Sequence, residues 1–304
     1  MRFERTRLLR GVLGIFAMIA ISGTPALAQQ PAPLFPQSLA ELTRLNDDTY
    51  AFRSGGYVSM FIVTDEGVIV VDPIGGGNNR GNPAALKAAI AAITDQPVRY
   101  LVYSHSAPDH GTGGVVFADT AEFVGHVNTA AELAERADPL TPVPTIAFDD
   151  GLWLELGGKR VELRWLGLSP SDTYITVHYR NVLMVVDNIR IRSVAFSDLP
   201  SASAETFIAM IERLEADPSW DTFIYGHSAG SQAFGTREEA ARYREYLQDL
   251  TGAVRAARAA GLADNSEEML AAVRAELSPR YGDWPSFANG LAPNVRGVIR
   301  WWSA

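Results

Sequence analysis

Residues 105–110 form the densest group of side chains capable of chemistry. The segment His105-Ser106-Ala107-Pro108-Asp109-His110 holds two imidazoles and one carboxylate within six residues. It follows Val98–Ser104, whose apolar character predicts a buried strand, and it precedes the glycine-rich segment Gly111–Gly114, which favours tight turns. Imidazoles and carboxylates carried on a loop at the end of a rigid strand are typical of hydrolytic metal sites. The segment is therefore a candidate metal and catalytic site.

Two further polar residues stand where predicted strands end. Asp187 follows the apolar segment Val182–Val186, and His227 follows Thr222–Tyr225. The chain contains no cysteine, which excludes disulfides, thiolate ligands and a cysteine nucleophile. Histidine, aspartate or glutamate side chains must therefore hold any metal ion.

The order of these residues resembles the metallo-β-lactamase superfamily. The family signature is H-x-H-x-D-H, followed by a later histidine, a later aspartate and a final histidine. The residues that match it here are His105, Asp109, His110, Asp187 and His227. The resemblance extends from Val71-Asp72-Pro73 to Tyr225-Gly226-His227. It implies an α/β protein with the four-layer αββα metallo-β-lactamase sandwich.

Two positions depart from the family signature. Ala107 stands where the second motif histidine is expected. Leu168 stands where the next histidine is expected, in a segment (167–173) that is similar to the family's G-H-S-P-G-D-T stretch. Of the three histidines that hold the first metal ion in the family, only His105 remains. The resemblance therefore implies that the first metal position is empty.

The second metal position keeps its matching residues. The resemblance implies a mononuclear site in which Asp109, His110, Asp187 and His227 bind one Zn²⁺ or another divalent metal ion. Such a cation would acidify water enough for attack on a carbonyl, ester or phosphoryl centre. The expected catalytic residues are Asp109 and His105, with His105 orienting the water or accepting its proton.

These features predict a metal-dependent hydrolase of a small ester, amide or lactone. The mononuclear lactamase subclass uses a cysteine at the second position, so the absence of cysteine disfavours β-lactam hydrolysis. The alternative is a catalytically inactive binding protein, because Ala107 and Leu168 remove two nitrogen donors and add apolar surface. A mononuclear iron persulfide dioxygenase is less favoured, because those relatives use the first metal position.

Several nearby residues have structural interpretations. Asp72 is expected to belong to a turn that supports the site rather than to bind metal. His126 is interpreted as a surface histidine at a strand end, and His178 as a structural residue within a strand. The aromatic residues of the C-terminal segment are expected to close the core: Trp284, Phe287, Trp301 and Trp302.

Hydrophobic periodicity predicts the elements that would position these side chains. Besides the strands named above, strands are expected at Thr49–Arg53, Tyr57–Val63, Val68–Val71, Leu152–Leu156, Arg160–Leu166 and Thr173–Tyr179. Helices are expected at Pro83–Thr94, Asn128–Arg136 and Ser203–Ala216. After Thr236 the chain is expected to be mostly helical as far as the Trp-containing tail, Tyr281–Trp302.

Residues 1–28 have the pattern of a secretory signal peptide. Four arginines precede an apolar run, Gly11–Ser22, that is too short to span a bilayer comfortably, and Ala26-Leu27-Ala28 forms a small-x-small cleavage site. The mature chain is expected to be one domain over residues 29–304 with a helical, Trp-containing C-terminal extension. We expect it to be periplasmic or secreted, without stable membrane insertion.

The charge balance limits the partners. The formal net charge is −9, and removal of residues 1–28, with four positive charges and one negative, would make it three units more negative. An acidic surface repels phosphate backbones and anionic lipid headgroups. We therefore expect a small-molecule substrate and no nucleic acid.

Overall fold

The structure is a computed structural model that describes residues 40–76, 81–195, 199, 203–229 and 232–302. Its strands within these residues are β1 (Glu41–Arg44), β2 (Thr49–Ser54), β3 (Tyr57–Thr64), β4 (Gly67–Val71), β5 (Val98–Val102), β6 (Glu122–His126), β7 (Ile146–Phe148), β8 (Gly151–Leu156), β9 (Lys159–Trp165), β10 (Ile175–Tyr179), β11 (Val182–Val185), β12 (Thr222–Ala229) and β13 (Gln232–Thr236). Its helices there are α1 (Pro83–Ala91), α2 (Pro108–Gly111), α3 (Val127–Arg136), α4 (Ala204–Ala216), α5 (Arg237–Ala259), α6 (Glu267–Tyr281) and α7 (Phe287–Trp301).

The first half of the chain builds one half of the sheet from β1 to β7. Strands β1 to β4 are antiparallel neighbours, whereas β4, β5, β6 and β7 run parallel. Val71 at the end of β4 is paired with Val102 at the end of β5. Because parallel strands end at the same edge of a sheet, Asp72 and the segment that follows Val102 lie side by side.

The second half of the chain builds the other half of the sheet from β8 to β13. Strands β11 and β12 are parallel, with Met184 paired to Ile224, so the residues that follow both strands leave the sheet at one edge. His227, in the irregular second part of β12, is paired with Tyr57 of β3. This pairing joins the two halves beside the candidate site.

Alternating side chains on the strands create separate cores on the two sheet faces. In β4, Ile69 and Val71 contribute to the core between the two halves, whereas Val68 and Val70 contribute to the outer core that includes Leu86 of α1. Helices α4 to α7 cover the outer face of the second half and enclose a third, larger core. The arrangement is the four-layer αββα sandwich that the sequence resemblance implies.

Most predicted elements are confirmed, with shifts at their ends. The predicted helix at Pro83–Thr94 ends at Ala91, and the strand predicted at Thr222–Tyr225 continues to Ala229. Strands β1, β7 and β13 were not predicted, because they are short and two of them begin with polar residues. The Trp-containing tail is not the end of the helical region, since α7 occupies most of it and buries Phe287 and Trp301.

All described residues belong to one compact unit, Pro33–Ala304. The predicted signal peptide, residues 1–28, lies outside the described residues, and the domain boundary at residues 28 and 29 remains a prediction. Among the described helices, none combines the length and apolar character needed to cross a bilayer.

Candidate metal centre

The motif residues leave β5 through a buried turn and a single turn of helix. His105 follows Ser104 and is almost completely buried. Pro108 begins α2, where its fixed backbone angle favours the first helical position, and α2 carries Asp109 and His110. His110 is fully buried, whereas the Asp109 side chain is 27% exposed. Asp109 therefore faces the opening of the site and His110 its interior.

Asp72 supports the motif from the end of β4. Its carboxylate accepts hydrogen bonds from the Ser104 backbone N–H (2.8 Å) and the Ser104 hydroxyl (2.7 Å). Its Oδ2 also lies 3.1 Å from Nδ1 of His110, and both side chains are fully buried. The backbone of Asp72 has a φ of 60°, a left-handed conformation that aspartate tolerates better than most residues. Asp72 thus contacts His110 from behind, as the sequence analysis expected.

Asp187 and His227 reach the site from the ends of β11 and β12. The Asp187 backbone is also left-handed, with a φ of 65°, and its N–H donates to the Tyr225 carbonyl (3.2 Å). Gly226 has a φ of 81°, and a Cβ on it would lie 2.5 Å from Val186 Cγ1 and 2.9 Å from His110 Cε1. The bend that presents His227 therefore needs glycine for both backbone conformation and space.

The four side chains predicted as ligands converge. His110 Nε2 and His227 Nε2 are 3.1 Å apart, and Asp187 Oδ1 lies 2.8 Å from His227 Nε2 and 4.0 Å from His110 Nε2. Asp109 Oδ2 lies 3.9 Å from His110 Nε2 and 3.8 Å from His227 Nε2. Side chains separated by up to 118 positions in sequence thus come within 4.0 Å of His110 Nε2.

His105 lies on the other side of Asp187. Its Nδ1 lies 2.9 Å from the Ser104 hydroxyl, and its Nε2 lies 3.3 Å from Asp187 Oδ2. Within the described part of the chain, His105 Nε2 is buried and has no partner in hydrogen-bond geometry. Buried polar atoms in this state are costly unless they meet a cation or a substrate group.

Burial and the carboxylates set the protonation of the two motif histidines in opposite directions. Burial lowers the pKa of His105 to about 4, although Asp187 opposes this effect. Burial also lowers the pKa of His110, but the hydrogen bond with Asp72 and the charges of Asp187 and Asp109 outweigh it and raise the pKa to about 9. For Asp187, burial raises the pKa, but His227, His110 and His105 together hold it below its usual range.

The donor set fits a divalent cation. Two trios have potential ligand atoms within 4.8 Å of one another: His105, His110 and Asp187 in one, and Asp109, His110 and His227 in the other. Asp72 faces Nδ1 of His110, which leaves Nε2 directed towards the other ligands, and a carboxylate behind a histidine is the usual support of a metal-bound imidazole. Imidazole nitrogens and carboxylate oxygens without thiolates suit Zn²⁺.

The segment that departs from the family signature at Leu168 carries a buried apolar side chain and leads to an aromatic ring. Leu168 is 7% exposed and belongs to the helix-side core, and its backbone N–H donates to Asp172 (3.1 Å). The Tyr174 ring stacks on the His105 ring with centroids 4.4 Å apart. Sequence reasoning did not select Tyr174, although it follows the similar segment 167–173 directly.

The remaining histidines do not join this cluster. His126 is buried, stacks on Trp165 at 4.8 Å between centroids, and accepts a hydrogen bond from the Asn128 N–H at the start of α3. Its interpretation as a surface histidine was therefore wrong, because Trp165 at the end of β9 and Phe148 at the end of β7 pack against its ring. His178 lies in β10 with Nε2 2.9 Å from the Arg180 carbonyl, a structural contact as expected.

The tail aromatics have the structural role that the sequence predicted. Trp284, Phe287 and Trp301 are buried in the helix-side core, and Trp302 packs against it. Trp284 also contacts Tyr246 and Tyr281, with ring centroids 5.3 and 4.9 Å away. These residues close the core under α5 to α7.

Solved structures share this fold at low sequence identity. A metallo-β-lactamase from Pontibacter korlensis is 18% identical, with a TM-score of 0.58 over 69% of this chain and 99% of that one. The metallo-β-lactamase IND-7 is also 18% identical, with a TM-score of 0.56 over 68% and 98%. The stereoselective inverting sec-alkylsulfatase Pisa1 from Pseudomonas sp. is 15% identical, with a TM-score of 0.62 over 87% of this chain and 50% of that one. At these identities, the likeness concerns the fold alone.

A comparison with curated proteins found no match. The family model described as metallo-beta-lactamase superfamily matches residues 53–227, which run from β2 to the final histidine of the candidate site. The matched segment covers more than half of the chain and contains the four converging side chains of α2, β11 and β12. The chain belongs to the metallo-β-lactamase superfamily.

Proposed function

We propose that this protein is a mononuclear metallohydrolase of small esters, amides or lactones. One Zn²⁺ would be held by Asp109, His110, Asp187 and His227, with Asp187 as the ligand that water can replace. The observation that carries the proposal is the convergence of these four side chains, with His110 and His227 Nε2 atoms 3.1 Å apart. A bound Zn²⁺ would lower the pKa of water and polarise a carbonyl oxygen.

The protein's own residues would bind the cation and handle the proton. Asp72 orients His110 through its Nδ1, so that Nε2 faces the other ligands. Burial lowers the pKa of His105 to about 4, so the imidazole is neutral near pH 7 and its buried Nε2 can accept a hydrogen bond. Asp109, the most exposed of the four ligands, lies where an incoming substrate would meet the site. We propose that His105 and Asp109 orient the water and receive its proton.

Metal analysis of purified protein tests this function directly. After zinc loading and dialysis we expect about one Zn²⁺ per chain, because four ligands remain at one position. We also expect hydrolysis of at least one substrate in a panel of carboxylic esters, amides and lactones. A sulfate ester belongs in the panel because the alkylsulfatase likeness covers most of this chain. Less than about 0.2 Zn²⁺ per loaded chain would overturn the proposal.

The second candidate is a binding protein without activity. Ala107 and Leu168 support it, because they stand where two nitrogen donors are expected and Leu168 belongs to the helix-side core. The Asp109→Ala variant separates the candidates. Zinc-dependent turnover that this variant loses, with its thermal unfolding unchanged, would exclude the inactive protein. A wild-type chain that holds zinc but hydrolyses nothing in the panel would favour it.

We further propose that the protein is exported and cleaved after Ala28. N-terminal sequencing of protein from the periplasm or culture medium, after expression of the full chain in a Gram-negative host, should yield Gln29 as the first residue. An intact Met1 on protein retained in the cytoplasm would contradict export.

A further inference from the structure

The Tyr174 ring stands beside His105, in the half of the site that has lost two of its three histidine ligands. Tyr174 follows the loop that carries Leu168, and its ring stacks on the His105 ring at 4.4 Å between centroids and 17° between planes. The stack fixes the ring next to the imidazole whose Nε2 lies 3.3 Å from Asp187. The position of Tyr174 is therefore defined by the same residues that form the candidate metal centre.

The hydrogen-bonding capacity of the Tyr174 hydroxyl is not used by the described residues. The side chain is half-buried, and among the described residues none forms a hydrogen bond with its hydroxyl. Burial raises the pKa of Tyr174, and the charges of Asp187, Asp172 and Asp109 raise it further. The phenol therefore keeps its proton at neutral pH and acts as a hydrogen-bond donor.

Such a donor accelerates hydrolysis of a carbonyl centre and can act together with a single metal ion. Addition of water to the carbonyl places negative charge on its oxygen, and a preorganised donor aimed at that oxygen lowers the barrier. Several carboxylates surround this site, so a neutral donor is valuable for holding a developing anion. A phenol supplies the hydrogen-bond donor without adding a charge. The tyrosine forms and breaks no covalent bond in this step.

We propose that Tyr174 is a catalytic residue that donates a hydrogen bond to the oxyanion of the substrate. It stands beside His105, in the half of the site where Ala107 and Leu168 supply no ligand for a second cation. The inference rests on the proposed hydrolase function and adds a substrate-contacting residue to it. It also restricts the substrate class to molecules whose reacting carbon or sulfur carries an oxygen that gains negative charge.

The Tyr174→Phe variant tests this role because it keeps the stacked ring and removes only the hydroxyl. Tyr50→Phe is the matched control: Tyr50 is also half-buried, stacks on Phe61 at 4.9 Å, and has no hydrogen bond from its hydroxyl to a described residue. Tyr50 lies near the start of β2, whereas the other end of that strand, at Ser54, is paired with Tyr57, which in turn pairs with His227 of the candidate site. Both variants and the wild type are loaded with zinc, and their metal content and thermal unfolding are compared first.

Two readouts then separate a catalytic role from a structural one. In Tyr174→Phe, kcat for the wild-type substrate should fall about 10- to 100-fold with little change in KM, because the hydrogen bond to the charged oxygen forms in the transition state. The affinity for methylphosphonate, a tetrahedral mimic of the oxyanion, should fall by a similar factor. Tyr50→Phe should match the wild type in both measurements.

A third measurement uses the unmodified protein. Methylphosphonate binding should perturb the tyrosine ultraviolet absorption of the zinc-loaded wild type, and this signal should be absent in Tyr174→Phe. Wild type that holds zinc and turns over substrate, with Tyr174→Phe equal to Tyr50→Phe, would overturn the role of Tyr174 alone. Wild type that neither holds zinc nor turns over substrate would overturn the hydrolase function and this inference together.

Discussion

His110 Nδ1 and Asp72 Oδ2 lie 3.1 Å apart, and neither side chain is exposed to solvent. This contact decides which nitrogen of His110 faces the other ligands. It also explains why the pKa of His110 rises to about 9 despite complete burial, since Asp72, Asp187 and Asp109 favour the protonated imidazole. In the metal-free protein, the proton on His110 offsets part of the negative charge of these three carboxylates. A bound cation would take over this role.

Asp72→Asn should weaken zinc binding about 10- to 100-fold, because an amide is a poorer support for the ligating imidazole than a carboxylate. Asparagine tolerates the left-handed backbone of position 72 and can still accept from the Ser104 N–H. Competition with a chromophoric chelator measures the affinity. Ser104→Ala serves as the control, since it removes one hydrogen bond to Asp72 and leaves its contact with His110. Equal affinity of Asp72→Asn and wild type would show that Asp72 does not orient His110.

Gly226→Ala should lower the free energy of unfolding by about 1–3 kcal/mol, because a Cβ there meets Val186 and His110 and the backbone is left-handed. It should also weaken zinc binding by displacing His110. Gly252→Ala is the matched control: a Cβ on Gly252 meets nothing within 4 Å. Because Gly252 lies inside α5, alanine there should raise stability by about 0.5–1 kcal/mol. Urea denaturation of both variants measures these effects. A free energy of unfolding for Gly226→Ala equal to that of the wild type would contradict the close contacts at Gly226.

The double variant Ala107→His with Leu168→His should bind a second zinc ion. It returns imidazoles to the two positions where this chain departs from the family signature, beside His105, whose buried Nε2 has no hydrogen bond to a described residue. The change at Leu168 should cost about 2 kcal/mol of stability, because a buried leucine is lost. Metal analysis should rise from about one to about two zinc ions per chain. Ala107→His alone is the control. If the double variant folds but still holds one ion, the backbone at this site no longer has the geometry that two metal ions require.

The metal-free protein should lose stability as the pH rises from about 6.5 to about 9. The folded pKa of His110 is raised to about 9, so the folded state keeps a proton that the unfolded state releases near its ordinary pKa of about 6.5. This contribution is complete below the unfolded pKa and disappears as the pH rises through the folded pKa. Its size is on the order of 1–3 kcal/mol.

His105 has the opposite effect at lower pH. Because its folded pKa is lowered to about 4, the unfolded state takes up a proton first, and stability falls as the pH drops from about 6.5 to 4. Denaturant unfolding in the presence of a chelator, across this whole range, measures both effects. His110→Asn should lack the slope above pH 6.5 and keep the one below it. Identical profiles for variant and wild type would refute this assignment.

The sequence alone determined the local part of the site. The spacing of His105, Asp109 and His110 depends on six adjacent residues, and the apolar character of the residues before them predicts a buried strand. The loss of histidine at positions 107 and 168 is equally visible in the chain. These features are local, so composition and periodicity were enough to find them, together with the family resemblance that they support.

Only the tertiary structure decided which distant side chains meet. Asp187 and His227 come together because β11 and β12 are parallel and because β12 pairs with β3 at Tyr57, a register that no local pattern specifies. The stack of Tyr174 on His105 and the burial of His126 against Trp165 have the same origin. Side-chain periodicity is encoded within a few residues, whereas contacts across 40 to 120 residues depend on how whole strands pair and pack.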